Sequence, residues 1–212
     1  MVTIAIPTLN RKDLLLECLD DLFRNGFTGH LLLIDNGDQH LSDIPLLEGK
    51  TYTIQENPEN LGVAGSWNQI GRIVFDTMGE PEVFILNDDI AMGLSWPEAE
   101  DRYKRVGSLG LIRSPYFWSA FRWTAHLRRE VGLFDEKFFP AYREDSDYER
   151  RCELAGVAVY RDPFLDPQVK RMESSGKNAE AIGPSTMRYL EKWGGLPGHE
   201  TFTTPFGGMV KL

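Results

Sequence analysis

Four short clusters hold the side chains of this 212-residue chain best suited to chemistry: PTLNR at 7–11, DNG at 35–37, NDD at 87–89 and REDSD at 143–147. Adjacent carboxylates such as Asp88 and Asp89 suit a hard divalent cation, which is commonly held by one or two carboxylates together with phosphate oxygens. A carboxylate at the start of a helix is kept ionised by the helix dipole and the free amides, and can then take a proton from an alcohol. The REDSD cluster sets carboxylates just before a helical pattern. The plainer alternatives are a solvated strand-to-loop turn at 87–89 and a helix-capping cluster at 143–147.

The elements that must position these clusters follow from hydrophobic periodicity. Apolar runs predict strands at Val2–Ile6, ended by Pro7, then at Leu31–Ile34, Tyr52–Gln55 and Val83–Leu86. Between them, Leu15, Cys18, Leu19, Leu22 and Phe23 recur at helical spacing, with Asn10 as cap and Gly26 as stop, and a second helix is expected over about Ala64–Met78. Short buried strands separated by helices imply a mainly parallel α/β sheet covered on both faces, and ligands bind such sheets beyond the carboxyl ends of the strands. Three of the four clusters fall at those ends. Beyond residue 90 the pattern predicts a helix at 97–106, strands near 109–112 and 116–123, a helix from Ser146 to Ala155, a strand at 157–160, a helix at 184–193 and a loose glycine-rich tail. The reading is one domain with two functional halves, 1–90 and 91–212.

Composition narrows the classes. With 42% hydrophobic and 26% charged residues the chain can bury a core, and its net charge of −9 argues against general polyanion binding. No apolar run could span a bilayer, so no integral membrane association is expected. The opening MVTIAIPTLNRK is unlike a secretory signal, and two scattered cysteines form no disulfide framework. A reducing, cytoplasmic setting is expected. P-loop, dinucleotide, nucleophile-elbow and zinc-helix motifs are all missing from the sequence.

What remains resembles glycosyltransferase family 2, inverting nucleotide-sugar enzymes of the GT-A fold, from Val2 to about Ser175. IAIPTLNR (4–11) is similar to the family's opening strand and loop. The segment from Glu56 through Asn60–Gln69 is similar to its second nucleotide-facing stretch, FILNDDI (84–90) to its metal-binding D-x-D region, and GLFDEKFFPAYREDSDYERRCELAG (132–156) to its acceptor-side signature. The resemblance implies a Rossmann-like GT-A domain and a pyrimidine nucleotide-diphosphate sugar (UDP- or dTDP-type) as donor. It makes Asp89 the ligand of Mn²⁺ or Mg²⁺, with Asn87 and Asp88 beside it. Pro7, Thr8, Asn10, Arg11, Asp35, Asn60, Gly62, Asn68, Asn87 and Asp88 would serve the nucleotide sugar, and Asp145 would be the catalytic base, with Glu144 helping to bind the acceptor or sugar. Asp35 reads equally as a turn former, Arg11 as a helix-start surface residue and Asn68 as a helix-surface amide. Many family members also carry a metal-binding histidine where this chain has VKRMESSG (169–176), which leaves metal dependence open. Asp147 and Arg151 read as a structural pair.

The stretch 102–129 carries seven basic residues and no acidic one, interleaved with aromatics. It suggests an anionic acceptor (a glycan, a lipid-linked glycan or a hydroxylated base in nucleic acid) contacted by Trp118, Trp123, Arg128 and Arg129, although each ring could equally be core. The expectation is that Asp89 and Asp145 meet across one cleft. A non-catalytic nucleotide-sugar-binding module and a nucleotidyltransferase remain as alternatives, and the oligomeric state is open.

Overall fold

The structure, a computed structural model, describes residues 2–91, 95–106, 110–115, 118–162, 168–169 and 179–209, with the side chains of 102–106 and 168–169 left aside. The strands are β1 (Thr3–Thr8), β2 (His30–Asp35), β3 (Tyr52–Glu56), β4 (Glu82–Leu86), β5 (Ile90–Ala91), β6 (Leu111–Arg113), β7 (Ala120–Thr124), β8 (Val159–Arg161) and β9 (Gln168–Val169). The α-helices are α1 (Lys12–Arg24), α2 (Gly62–Gly71), α3 (Trp96–Val106), α4 (Ala125–Val131), α5 (Glu144–Leu154) and α6 (Ala179–Trp193).

Seven strands form one sheet in the order β3-β2-β1-β4-β7-β6-β8, and β5 pairs with β9 in a small second sheet. Within the large sheet only β7 runs against the rest. The two halves of the chain therefore share a single sheet. Strand alternation sorts the apolar side chains onto two faces. Ile4, Ile6, Leu31, Leu33, Phe84 and Leu86 pack with α1 and with Trp96 of α3. Ala5, Leu32, Ile34, Val83 and Ile85 pack with α2 and with Tyr148 and Cys152 of α5. Each such buried large side chain contributes about 1.5–3 kcal/mol, so the central strands hold their carboxyl ends firmly.

Two local expectations change. β1 runs through Pro7 to Thr8, with Pro7 in register with Ile34. The Asn36 amide donates to the Thr8 carbonyl, so the alternate residue Pro7 faces the β4 side, past the last β1–β4 register pair, Ala5–Ile85. Its missing N–H therefore costs no ladder bond. Asn10 does not cap α1: it adopts a left-handed φ of 53°, Arg11 precedes the helix, and no side chain caps it. Instead the Asn10 amide lies against Gly37, where a β-carbon would collide with it.

Candidate active site

The carboxyl ends of β1, β2 and β4 place Thr8, Asp35 and the Asn87–Asp89 turn along one edge of the sheet. Asp35 is buried and accepts from the Gly37 amide (2.9 Å), the Gln39 amide (2.8 Å) and Gln39 Nε2 (2.9 Å). Its carboxylate thus shapes the 35–39 loop, as the turn-forming alternative would have it. Gln39 returns its Oε1 to the Arg11 amide at 2.7 Å, and Lys12 Nζ donates to the carbonyls of Gln39 and His40. Gln39, missed in the sequence, is the hub joining the PTLNR and DNG clusters; its one signal was a position four residues after Asp35.

Asp88 and Asp89 are both buried, and the Arg11 side chain is buried beside them. Burial pushes the Asp88 carboxyl up to about 6; a hydrogen bond from Thr8 opposes this, the Asp89 charge adds to it and the Arg11 charge opposes it. Asn87 is half-buried and bonded through its backbone, with its amide donating to Ser119 O at 2.8 Å. Two crowded carboxylates fit a divalent cation. Among the described residues no group of three or more His, Cys, Asp or Glu could hold one alone, so such an ion would complete its shell with phosphate oxygens or water. The 170–176 stretch, including Lys170 and Arg171, lies outside the described residues.

A second amide network sits beyond β2 and β3. Asn57 Nδ2 donates to Asn36 Oδ1 (3.0 Å) and Gln69 Oε1 (2.9 Å), while Asn36 donates to Ser66 Oγ at 2.9 Å. It fixes the start of α2, where Asn60 Oδ1 accepts from the Gly62 amide. Gly62 has φ +69°, and a β-carbon there would lie 2.8 Å from both the Phe139 ring and the Pro140 carbonyl. Only glycine meets both demands, and the contact ties α2 to the 132–145 segment.

That segment carries the second acid pair. Tyr142 and Arg143 both have positive φ, 75° and 72°, immediately before α5. Consecutive left-handed residues cost of order 1–3 kcal/mol each and persist only where the surroundings impose them. Here α6 does so: Ser185 Oγ donates to Ala141 O (3.0 Å), Arg143 Nε to Thr186 Oγ1 (3.3 Å), and Arg188 and Lys192 both bond Asp135. Within α5, the fully buried Asp147 accepts from Arg151, Lys192 and Trp193, so its pairing with Arg151 is structural as expected. The resulting turn leaves Glu144 buried with Oε2 lacking a hydrogen-bond partner. Burial, then the charge of Asp145, raises the Glu144 pKa well above its ordinary value. Burial likewise raises Asp145, against hydrogen bonds from Ser146 and with the Glu149 charge adding.

Asp145 lines a cleft of about 840 Å³ that runs along α5 and is also lined by Trp118, Arg113, Tyr189 and Glu200. Asp88 and Asp89 are not among its lining residues. Both acid pairs nonetheless lie at the same edge of the sheet. The Ser119 carbonyl bonds Asn87, and the adjacent Trp118 donates Nε1 to Glu149 Oε1 at 2.8 Å, one turn along α5 from Asp145. Trp118–Ser119 is thus the bridge between them.

Four residues expected to make ligand contacts are buried or lie at the other end of the sheet. Asn68 is buried, and its amide is spent on both backbone groups of Phe134 and on Glu136. Trp123 is fully buried and donates to Tyr148 Oη, so it is core. Because β7 runs backwards, α4 begins at the opposite end of the sheet. There Arg128 bonds Gly71 O and Asp76, and Arg129 is exposed on the same short helix. The basic stretch suggests an acceptor face for these arginines, and the direction of β7 instead carries them to the other end of the sheet.

No family model matches the chain, and no curated protein matches it. Solved structures do. S. aureus TarS superposes with a TM-score of 0.58 at 13% identity over 76% of this chain and 35% of that one. TarS 1–349 in complex with UDP-GlcNAc gives 0.57 at 12% identity, over 76% of this chain and 56% of that one. A Desulfovibrio desulfuricans G20 protein assigned as a nucleotide-diphospho-sugar transferase gives 0.54 at 11%, over 87% and 99%. This chain has a GT-A-like fold. It spans about a third of the TarS chain. Among the described residues of this GT-A-like domain, no helix is long and apolar enough to cross a membrane.

Proposed function

We propose that the chain is a glycosyltransferase that moves a sugar from a pyrimidine nucleotide diphosphate to an acceptor hydroxyl with inversion. The observation that carries this reading is the placement of two acid pairs at one edge of a GT-A-like sheet, buried Asp88 and Asp89 just after β4, and buried Glu144 with half-buried Asp145 opening α5. Solved neighbours of the same fold bind UDP and UDP-GlcNAc, which supports the donor class. Thr8, Arg11 and the 35–39 loop would line the nucleotide, and Asp35 would act by holding that loop in shape. Asp88 and Asp89 would hold a divalent ion, which when bound offsets the charge developing on the diphosphate leaving group.

Asp145 would take the proton of the attacking hydroxyl as its oxygen bonds the anomeric carbon and the diphosphate departs. Glu144, with a raised pKa and an unpartnered oxygen, is suited to donate a hydrogen bond to the sugar or the acceptor. Asp145→Asn tests the reading. A panel of nucleotide sugars screened by thermal shift should stabilise both proteins in proportion to log concentration over Kd, while nucleotide release is lost only in the variant. A binding module would show no release in either protein, and a nucleotidyltransferase would release pyrophosphate from a nucleoside triphosphate.

A further inference from the structure

The cleft along α5 differs from the cationic surface that the 102–129 stretch suggested. It draws on one face of the helix, Asp145, Ser146, Glu149, Arg150 and Glu153, set against edge strand β8 and the 197–200 loop. Its charged lining comprises three arginines (113, 150, 161) and four acids (145, 149, 153, 200). Most of these charges are already paired. Arg113 and Arg161 both meet Glu149, and Arg113 also donates to the Ser114 carbonyl at 2.6 Å. Arg150 bonds Glu153 (2.6 Å) and Phe202 O (3.0 Å), and Glu200 accepts from Tyr189 Oη and the Gly198 amide. Two other arginines of 102–129 are spent elsewhere. Arg122 is buried against Glu82, and Arg128 pairs with Asp76 at the far end of the sheet.

A phosphate entering this cleft would meet one excess acid and guanidinium groups each already bonded to a carboxylate, and would lose hydration without gaining a net countercharge. A neutral polyol has no such penalty. Its hydroxyls both donate and accept, so they can bond the outer lone pairs of paired carboxylates and the remaining N–H groups of paired guanidiniums. We propose that this cleft binds an uncharged, hydroxyl-rich acceptor, a saccharide, with the reacting hydroxyl presented at the Asp145 end. The assignment rests on the transferase reading above, and its test is independent of turnover.

Saturation-transfer NMR on the whole chain, without donor, compares uncharged methyl hexosides and disaccharides with the matching hexose phosphates at about 50 mM and about 500 mM salt. The uncharged disaccharides should receive saturation at both salt levels. Val159→Trp, which fills the cleft from β8, should reduce the transfer by about tenfold or more, the equivalent of about 1.4 kcal/mol. Should Val159→Trp fail to fold by thermal melting, the exposed Glu153→Trp fills the cleft from α5. Transfer to the phosphates alone, transfer undiminished in the filled cleft, or no transfer to any uncharged saccharide overturns the proposal. Nucleotide release from UDP-sugars, measured separately, bears on the transferase reading alone.

Discussion

The two acid pairs are held by different physics. Asp88 and Asp89 end β4, a strand covered on both faces by apolar side chains and flanked by β1 and β7. Glu144 and Asp145 follow a left-handed turn that is braced by buried and half-buried charges, with Asp135 to Arg188 and Lys192, and Asp147 to Arg151, Lys192 and Trp193. Apolar burial is indifferent to protonation and scales with the area covered. A buried ion pair is costly to break because its loss strands a charge. The first pair should therefore be robust to acid, and the second should be the part of the site that chemistry or pH can dislodge.

The largest effect should separate chemistry from support. Asp145→Asn should lower nucleotide release or transfer by about 10²–10⁴-fold with an unchanged melting temperature, as read by steady-state assay and calorimetry. Next, Asp147→Asn should destabilise the protein by about 3–5 kcal/mol in urea unfolding, because Lys192 and Arg151 lose a shared partner. A mild effect there would mean that α5 does not depend on its charges, and the contrast with β4 would fail. In the first region, Leu33→Ala should cost about 2–5 kcal/mol, with the same loss at pH 7 and pH 4.

The smallest effect is the most selective. Burial alone would raise Asp135, but hydrogen bonds from Lys192 and Arg188 outweigh it and hold the carboxyl down at about 2, against an ordinary 3.8. A depressed pKa gives stability that is present above about pH 4 and is lost as pH falls toward 2. Discounted for partial exposure, Asp135→Asn should cost about 1–2 kcal/mol at pH 7, and the difference from the parent should vanish near pH 2 in acid titrations followed by circular dichroism. A difference that persisted there would assign the contact to packing instead.

Much of the fold was legible because the central strands are short apolar runs with period-two alternation, whose burial leaves few other arrangements. Four β-strands with helices between them implied a parallel sheet, and polar clusters at the strand ends implied a ligand edge. Asp35 and Asn68 show where legibility stopped. Each has the right type for a ligand contact, yet Asp35 is engaged by Gly37 and Gln39 and Asn68 by Phe134 and Glu136. Sequence patterns rank what a side chain can bond, and the partners that reach it are set by distant segments.

The α/β class, the four polar clusters and the apolar faces could be read along the chain, since these depend on local periodicity and on the chemistry of each residue. Which charges are spent depends on how the folded elements meet. The reversed direction of β7 carried Arg128 and Arg129 to the far end of the sheet, Glu149 took up Arg113 and Arg161, and Trp123 went into the core. The physical reason is that a charge is neutralised by whichever opposite charge the fold brings within a few ångströms, and no order of residues along the chain fixes that distance.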